Sequence, residues 1–166
     1  MFELIRKERF EVSKEITCLL NRIVARNENY DNLGDFRKFP IKIIGTIHKV
    51  TAVDDFGIKF KEIIDRYKGN EIENKAFDLF LDIAKTQFFG DGNKRTGQLM
   101  MNGVLIMEGY CPFALNFRES IKYGEALIEF YETNNRNNIR EILLNKQLEK
   151  EKEFEITEKV INNIEK

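Results

Sequence analysis

An all-α domain is what the sequence predicts, and three observations lead there. Apolar residues recur at helical spacing in one segment after another. Proline occurs only 2 times in 166 residues, while Lys, Glu, Ile and Leu are abundant. Glycine and asparagine gather between the periodic segments, where helices must stop. The length argues for one domain, able to bury a core without disulfides or a structural metal. The chain divides into a compact helical domain over residues 1–145 and a charged C-terminal helix or tail over residues 146–166.

The first helix is predicted over roughly residues 9–27, with Val12, Ile16, Leu19, Leu20 and Ile23 on one face. Polar residues 27–35, including Gly34, then form a loop. From Phe36 to Val50 the texture changes. Phe39, Ile41, Ile43, Ile44, Ile47 and Val50 are β-prone, and a short hairpin turning near Gly45 is expected. Phe56, Phe60, Ile63, Ile64 and Tyr67 mark the next helix, stopped by Lys68, Gly69 and Asn70. Ile72, Ala76, Phe77, Phe80, Ile83 and Ala84 mark another, ending near Thr86.

Residues 96–108 are apolar on nearly all sides, the pattern of a central helix. Gly97 and Gly103 would let neighbours approach its backbone, and Gly109 ends it. Asn116 with Glu119 has the form of a capping box, opening a helix that carries Ile121, Ala126, Leu127, Phe130 and Tyr131. Asn138 with Glu141 repeats the form before Ile142 and Leu143. In the charged end, Ile156, Val160, Ile161 and Ile164 make a helical stripe.

Composition narrows the function. Lys plus Arg is 27 and Asp plus Glu is 28, a balance that argues against broad coating by nucleic acid, and no DNA partner is expected. The N-terminal residues are charged from Glu3 onward and do not form a signal peptide. No apolar run reaches membrane-spanning length, so a cytoplasmic protein with no membrane partner is expected. Cys18 and Cys111 are too few for a disulfide framework.

One segment carries chemistry: Gln87-Phe88-Phe89-Gly90-Asp91-Gly92-Asn93-Lys94-Arg95-Thr96-Gly97. It lies between two predicted helices. A helix N-terminus leaves backbone N–H groups unpaired and carries partial positive charge. Gly90 and Gly92 can take positive φ there and leave room for a phosphate. Lys94 and Arg95 sit in the first turn, where each cation opposes the helix dipole by roughly 0.3–1 kcal/mol. A bound polyphosphate reverses that sign. Asp91 is a hard oxygen ligand suited to Mg2+ on such phosphates. The loop is not a Walker motif, because Gln98 stands where the lysine must be and no strand precedes it.

These residues resemble the motif of the Fic (Fido) family, His-x-Phe-x-Asp/Glu-Gly-Asn-Gly/Lys-Arg. Phe89, Asp91, Gly92, Asn93, Lys94 and Arg95 match in register. The segment 36–50 resembles the family's flap hairpin, and the likeness runs over roughly residues 10–145. The resemblance implies a Fic-like helical domain that moves part of a nucleotide, usually AMP from ATP, onto a protein hydroxyl. It implies Mg2+ on Asp91, phosphates against Gly90, Gly92, Asn93, Lys94 and Arg95, and a target protein docked on the flap near residues 36–50.

Three departures qualify this. Gln87 replaces the family's general-base histidine, and an amide cannot accept a proton near neutral pH. Losing a positioned base costs about 10²–10⁴-fold. Lys94 stands where glycine is commoner, as in the kinase-like Doc branch. Gln98 stands where members that transfer AMP carry a second arginine. Gln87, Lys94 and Arg95 therefore mark either a weakened transferase, an inactive Fic-fold binding or regulatory protein, or a Doc-like kinase toxin. No Ser or Thr is followed four residues later by Glu, so the family's self-inhibitory pattern is missing. Either a separate antitoxin or inhibitor protein acts, or none is needed; a homo-oligomer is left open. His48, the only histidine, is expected on the flap surface.

Overall fold

The computed structural model describes residues 1–28, 33–69, 72–115 and 121–164. Among the described residues seven α-helices follow one another: α1 Phe2–Arg6, α2 Lys14–Val24, α3 Phe56–Gly69, α4 Ile72–Thr86, α5 Asn93–Met107, α6 Ile121–Thr133 and α7 Asn137–Ile164. A 3-10 turn, Val53–Asp55, leads into α3.

The predicted central helix is central. On α5, Thr96, Gly97, Met100, Met101, Gly103, Val104 and Leu105 are buried. Its most extensive neighbour is α4, and α2 packs on it as well. The approach to α4 is close at Gly97, where an added Cβ would stand 3.0 Å from the Phe80 carbonyl oxygen. α3 covers α4, and α6 pairs with α7. The start of α7 is pinned to α4 by ion pairs: Arg136 and Arg140 on Asp78, and Arg136 on Asp82. α7 is continuous across residue 145.

The first long helix starts later than its apolar pattern suggests. Ser13 caps α2, its Oγ accepting from Ile16 N at 3.3 Å, and Phe10 is buried outside any helix. The buried face of α2 is also rotated from the predicted stripe. Thr17, Leu20 and Asn21 are buried, while Leu19 and Ile23 are 38% and 50% exposed. Asn21 takes a buried place because its amide bonds loop backbone at Gly34 N and Asp91 O, while the Thr17 hydroxyl satisfies itself on Ser13 O at 2.7 Å.

The expected hairpin over 36–50 is not formed; among the described residues no strand occurs. The turn is where it was predicted, at Ile44 and Gly45, with Gly45 at φ +84°. The two arms do not pair, because they enclose a hollow of about 420 Å3 lined by Pro40, Ile41 and Lys42 on one side and Lys49, Val50 and Thr51 on the other. The backbone is held instead by side chains. Arg37 donates to Phe39 O at 2.6 Å and Thr51 O at 2.7 Å, and Glu132 Oε1 accepts from Ile47 N at 3.0 Å and Thr46 Oγ1 at 2.8 Å.

The capping box foreseen at Asn116 and Glu119 lies outside the described residues. The one foreseen at Asn138 and Glu141 does not form: α7 already begins at Asn137, and the Asn138 amide bonds Glu129 at 2.7 Å. Of the stripe foreseen in the charged end, Ile156 is exposed, and the side chains of Val160, Ile161 and Ile164 lie outside the described residues.

Candidate nucleotide-binding loop

Loop 87–92 joins α4 to α5 and is held by three polar side chains turned inward. Asn93, the first residue of α5, is buried. Its Oδ1 accepts from Phe89 N at 2.9 Å, and its Nδ2 donates to Phe89 O at 2.8 Å and Gln87 Oε1 at 3.1 Å. Asn21 of α2 donates through Nδ2 to Asp91 O at 2.9 Å and Thr96 Oγ1 at 3.2 Å, while its Oδ1 accepts from Gly34 N at 3.2 Å. Arg37, only 2% exposed, donates from Nε to Gln87 O at 2.8 Å, and its own N–H reaches Phe88 O at 2.8 Å.

Phe88 and Phe89 are fully buried and anchor the loop from below. Phe36 stacks on Phe88 with ring centroids 4.5 Å apart, and Phe56 and Phe60 close the cluster. The foot of the 36–50 segment and the first half of the loop thus share one aromatic core.

Above this base the loop is open. Gly92 caps α5 at φ +78°, a conformation that strains residues with a Cβ. An added Cβ would also press on Asn21 Nδ2 at 3.1 Å and Val24 Cγ2 at 3.2 Å. Of the loop's two glycines, it is Gly92 that takes the left-handed conformation. No side chain caps α5 at this end, so its first-turn N–H groups face the open side with the dipole's positive end. Lys94 and Arg95 are exposed there. The Arg95 guanidinium pairs with the Asp91 carboxylate, bonds Val24 O at 3.0 Å, and lies 3.4 Å from Glu28.

A family model described as Fic/DOC family matches residues 11–105, more than half of the chain. The chain belongs to the Fic/DOC family. No curated protein matches it. Solved structures with the same fold include Fic-1 (residues 134–508) from C. elegans, with TM-score 0.77 and 18% identity over 93% of this chain and 46% of that one. A second is BepC, a VirB-translocated effector of Bartonella tribocorum with bound AMPPNP, with TM-score 0.65 and 13% identity over 81% of this chain and 74% of that one. A third is a Fic-domain-containing signalling protein from Bacteroides thetaiotaomicron, with TM-score 0.66 and 17% identity over 87% and 62%. The chain spans about half the length of the first of these.

Within the Fic motif of this chain, the predicted residues fall into two groups. Gln87 and Asn93 face each other across the inner side of the loop. Asp91 and Arg95 pair on the outer side. Gln98 belongs to neither, since its amide is turned to Phe113 O at 3.2 Å. Gln87 sits at φ +56°, and its side chain is folded back onto the loop, donating to Ala84 O at 2.5 Å while accepting from Asn93. His48 is not at the loop. Its Nε2 lies 3.4 Å from Lys85 O, and its ring faces Tyr131. Burial pushes the Cys18 thiol up to about 11, which keeps it protonated and unreactive.

Sequence reading missed Asn21, Arg37, Glu28 and Glu132. Asn21 had a signal, a polar residue four positions after Thr17 beside an apolar stripe. Arg37, Glu28 and Glu132 read as ordinary surface charges, because their partners are distant in sequence.

Among the described residues, no helix is long and apolar enough to cross a membrane.

Proposed function

We propose that this Fic/DOC protein holds a nucleoside triphosphate, with Mg2+, at the N-terminus of α5, and that its transfer of AMP to a target hydroxyl is weakened by Gln87. The observation that carries the first half is the uncapped start of α5 at left-handed Gly92, flanked by half-buried Asp91 and the exposed Lys94 and Arg95. Backbone N–H groups and two cations converge where phosphates would lie. One carboxylate beside phosphate oxygens is the donor set that suits Mg2+, which otherwise keeps its waters. Asp91 would hold the ion, whose part is to neutralise phosphate charge. The BepC structure carries AMPPNP on the same fold, which supports this reading.

The second half rests on Gln87. Its amide cannot take a proton from a hydroxyl, and both ends of the amide are already engaged within the loop. With Gln98 turned to Phe113, neither Gln87 nor Gln98 supplies the charge or base that the active motif uses. The flap segment would receive the target chain by strand addition, its unpaired arms and the exposed Ile44 and Ile47 at its tip favouring an extended partner. A separate inhibitor is not required for an enzyme already this slow.

The test is ATP labelled on the α-phosphate, incubated with Mg2+, a cell lysate and either wild type or Gln87→His. Labelled protein with Gln87→His alone is expected. Equal labelling by wild type would overturn the weakened reading. No labelling by either, with Mg-ATP still bound, would favour a binding or regulatory protein. A γ-phosphate label in the same assay separates the kinase-like alternative that Lys94 raises. Failure of Asp91→Ala to weaken Mg-ATP binding would remove Asp91 from the site.

A further inference from the structure

A second concavity, of about 250 Å3, lies between the flap segment, α3, α4 and the α6–α7 connection. Among its lining residues are four cations, Lys59, Arg66, Lys85 and Arg136, with one carboxylate, Asp82, and His48. None of these belongs to the loop 90–95. The volume exceeds what one ordered water needs, at roughly 30 Å3 each.

The carboxylates near this cavity are already engaged. Asp82 is buried, with one oxygen on Arg66 and the other on Arg136 at 2.5 Å. Asp78, behind it, binds Arg136 at 3.1 Å and Arg140. Lys59 pairs at the rim with exposed Glu62. Lys85 is left to neutral oxygens. Its half-buried ammonium donates to Phe130 O at 3.2 Å and Asn134 Oδ1 at 3.0 Å. An ammonium has three donors, so one remains for a ligand.

Burial is the main influence on the two titratable groups that face the cavity beside Asp82, and the neighbouring cations act in the same direction. Burial, and then the neighbouring Arg136, hold the Lys85 ammonium below its ordinary value, with Lys59 adding to the effect and Asp82 opposing it. Burial, and then Lys85, hold the His48 imidazole below its own, with Glu132 opposing from α6. A network that served only to pin α4 to α7 would need Asp78, Asp82 and the arginines. It would not need an unneutralised lysine facing a cavity.

We propose that this cavity is an oxyanion pocket, taking a phosphate-sized group against Lys85 and Lys59 with Arg66 and Arg136 as its walls. The group comes either as a small anion from solution or as a phosphoryl group borne by a protein docked beside the flap. The pocket does not depend on the nucleotide reading of the loop.

His48 is the only histidine, so its Hε1 proton gives one assignable NMR signal from the pocket wall. Its titration midpoint is measured in sodium chloride and in sodium sulfate at equal ionic strength. Sulfate is expected to raise the midpoint by roughly one pH unit, the scale of a counter-charge held nearby. The rise is expected to vanish in Lys85→Met and to persist in Arg95→Ala, whereas Mg-ATP binding at the loop should do the reverse. Lys59→Met, at the rim, should shrink the rise and serves if Lys85→Met does not fold. A Gly-Gly-phosphoserine-Gly-Gly peptide, compared with its serine form, identifies the source. A rise at lower concentration than sulfate means a protein-borne group, and no advantage means a small anion. An equal midpoint in sulfate and chloride with wild type, or an undiminished rise in Lys85→Met, overturns the proposal.

Discussion

The Oε1 of Gln87 accepts from the Nδ2 of Asn93 at 3.1 Å, so the two ends of the motif loop are joined side chain to side chain. Asn93 also satisfies both backbone groups of buried Phe89. Asn93→Ala leaves that N–H and carbonyl unpaired, at about 1–3 kcal/mol for each unsatisfied group. Urea unfolding should show a loss of roughly 2–6 kcal/mol by the same reckoning, together with weaker Mg-ATP binding. A midpoint unchanged from wild type would mean that the loop holds its shape without this residue.

Arg37 links the flap to the motif. Its guanidinium reaches Gln87 O, Phe39 O and Thr51 O while stacked 4.8 Å from the Phe56 ring centroid. Burial lowers its affinity for a proton, yet an arginine stays charged, and carbonyl dipoles are its counter-charge. Arg37→Met strands three carbonyls and should cost about 3 kcal/mol or more. Trypsin should then cut faster at Lys42 and Lys49. Arg37→Lys should recover only part of the loss, since one ammonium cannot span a fork of three acceptors. Wild-type cutting rates in Arg37→Met would refute this linkage.

The tip of the flap is latched by Glu132, on α6. Hydrogen bonds from Ile47 N and Thr46 Oγ1 hold its carboxyl below the ordinary value near 4.5. A carboxylate with a lowered folded value contributes fully above the ordinary value and loses its contribution as pH falls through the folded one. The Ile47 amide resonance should therefore titrate with a midpoint below 4.5, and should stop titrating in Glu132→Ala. A midpoint at or above the ordinary value would show that the latch is not made in solution.

Two glycines should respond to alanine in opposite directions. At Gly103, an added Cβ would stand 2.1 Å from Cζ of buried Phe10. The ring has to move, and overpacking of this kind costs roughly 1–3 kcal/mol. At Gly124, on α6, nothing lies within 4 Å of the added atom. Gly124→Ala should stabilise by about 0.5–1 kcal/mol through helix propensity alone. Thermal unfolding of both variants checks the signs, and two shifts of the same sign would contradict the packing described.

What the sequence revealed was local. The periodicity of α3, α4 and α5, the stop at Thr86 and the loop opening α5 are short-range features, and they stand where the pattern put them. The turn at Gly45 was also legible, but the pairing of the arms was not. β-prone residues favour extended backbone without saying whether a partner strand or a side chain satisfies it. Here Arg37 and Glu132 do so, from 14 and 85 positions away for Thr51 and Ile47. The start of α2 was misplaced because Phe10 and Val12 continue the apolar pattern beyond the Ser13 cap. The ion pairs of Asp78 and Asp82 with Arg136 and Arg140 bridge between 54 and 62 positions, a range over which single-residue identity carries no pairing information.

Asp91 and Arg95, the metal ligand and the phosphate cation of the proposed site, are paired with each other in the protein itself. Binding of a magnesium nucleotide there would therefore be an exchange, in which internal ion pairs of Arg95 open as external ones close. Arg95 brings Asp91 and Glu28 rather than dissolved ions as its counter-charges, so fewer small ions are released when phosphates arrive. The affinity should then fall less steeply with added salt than a count of the lysine and arginine at the loop implies.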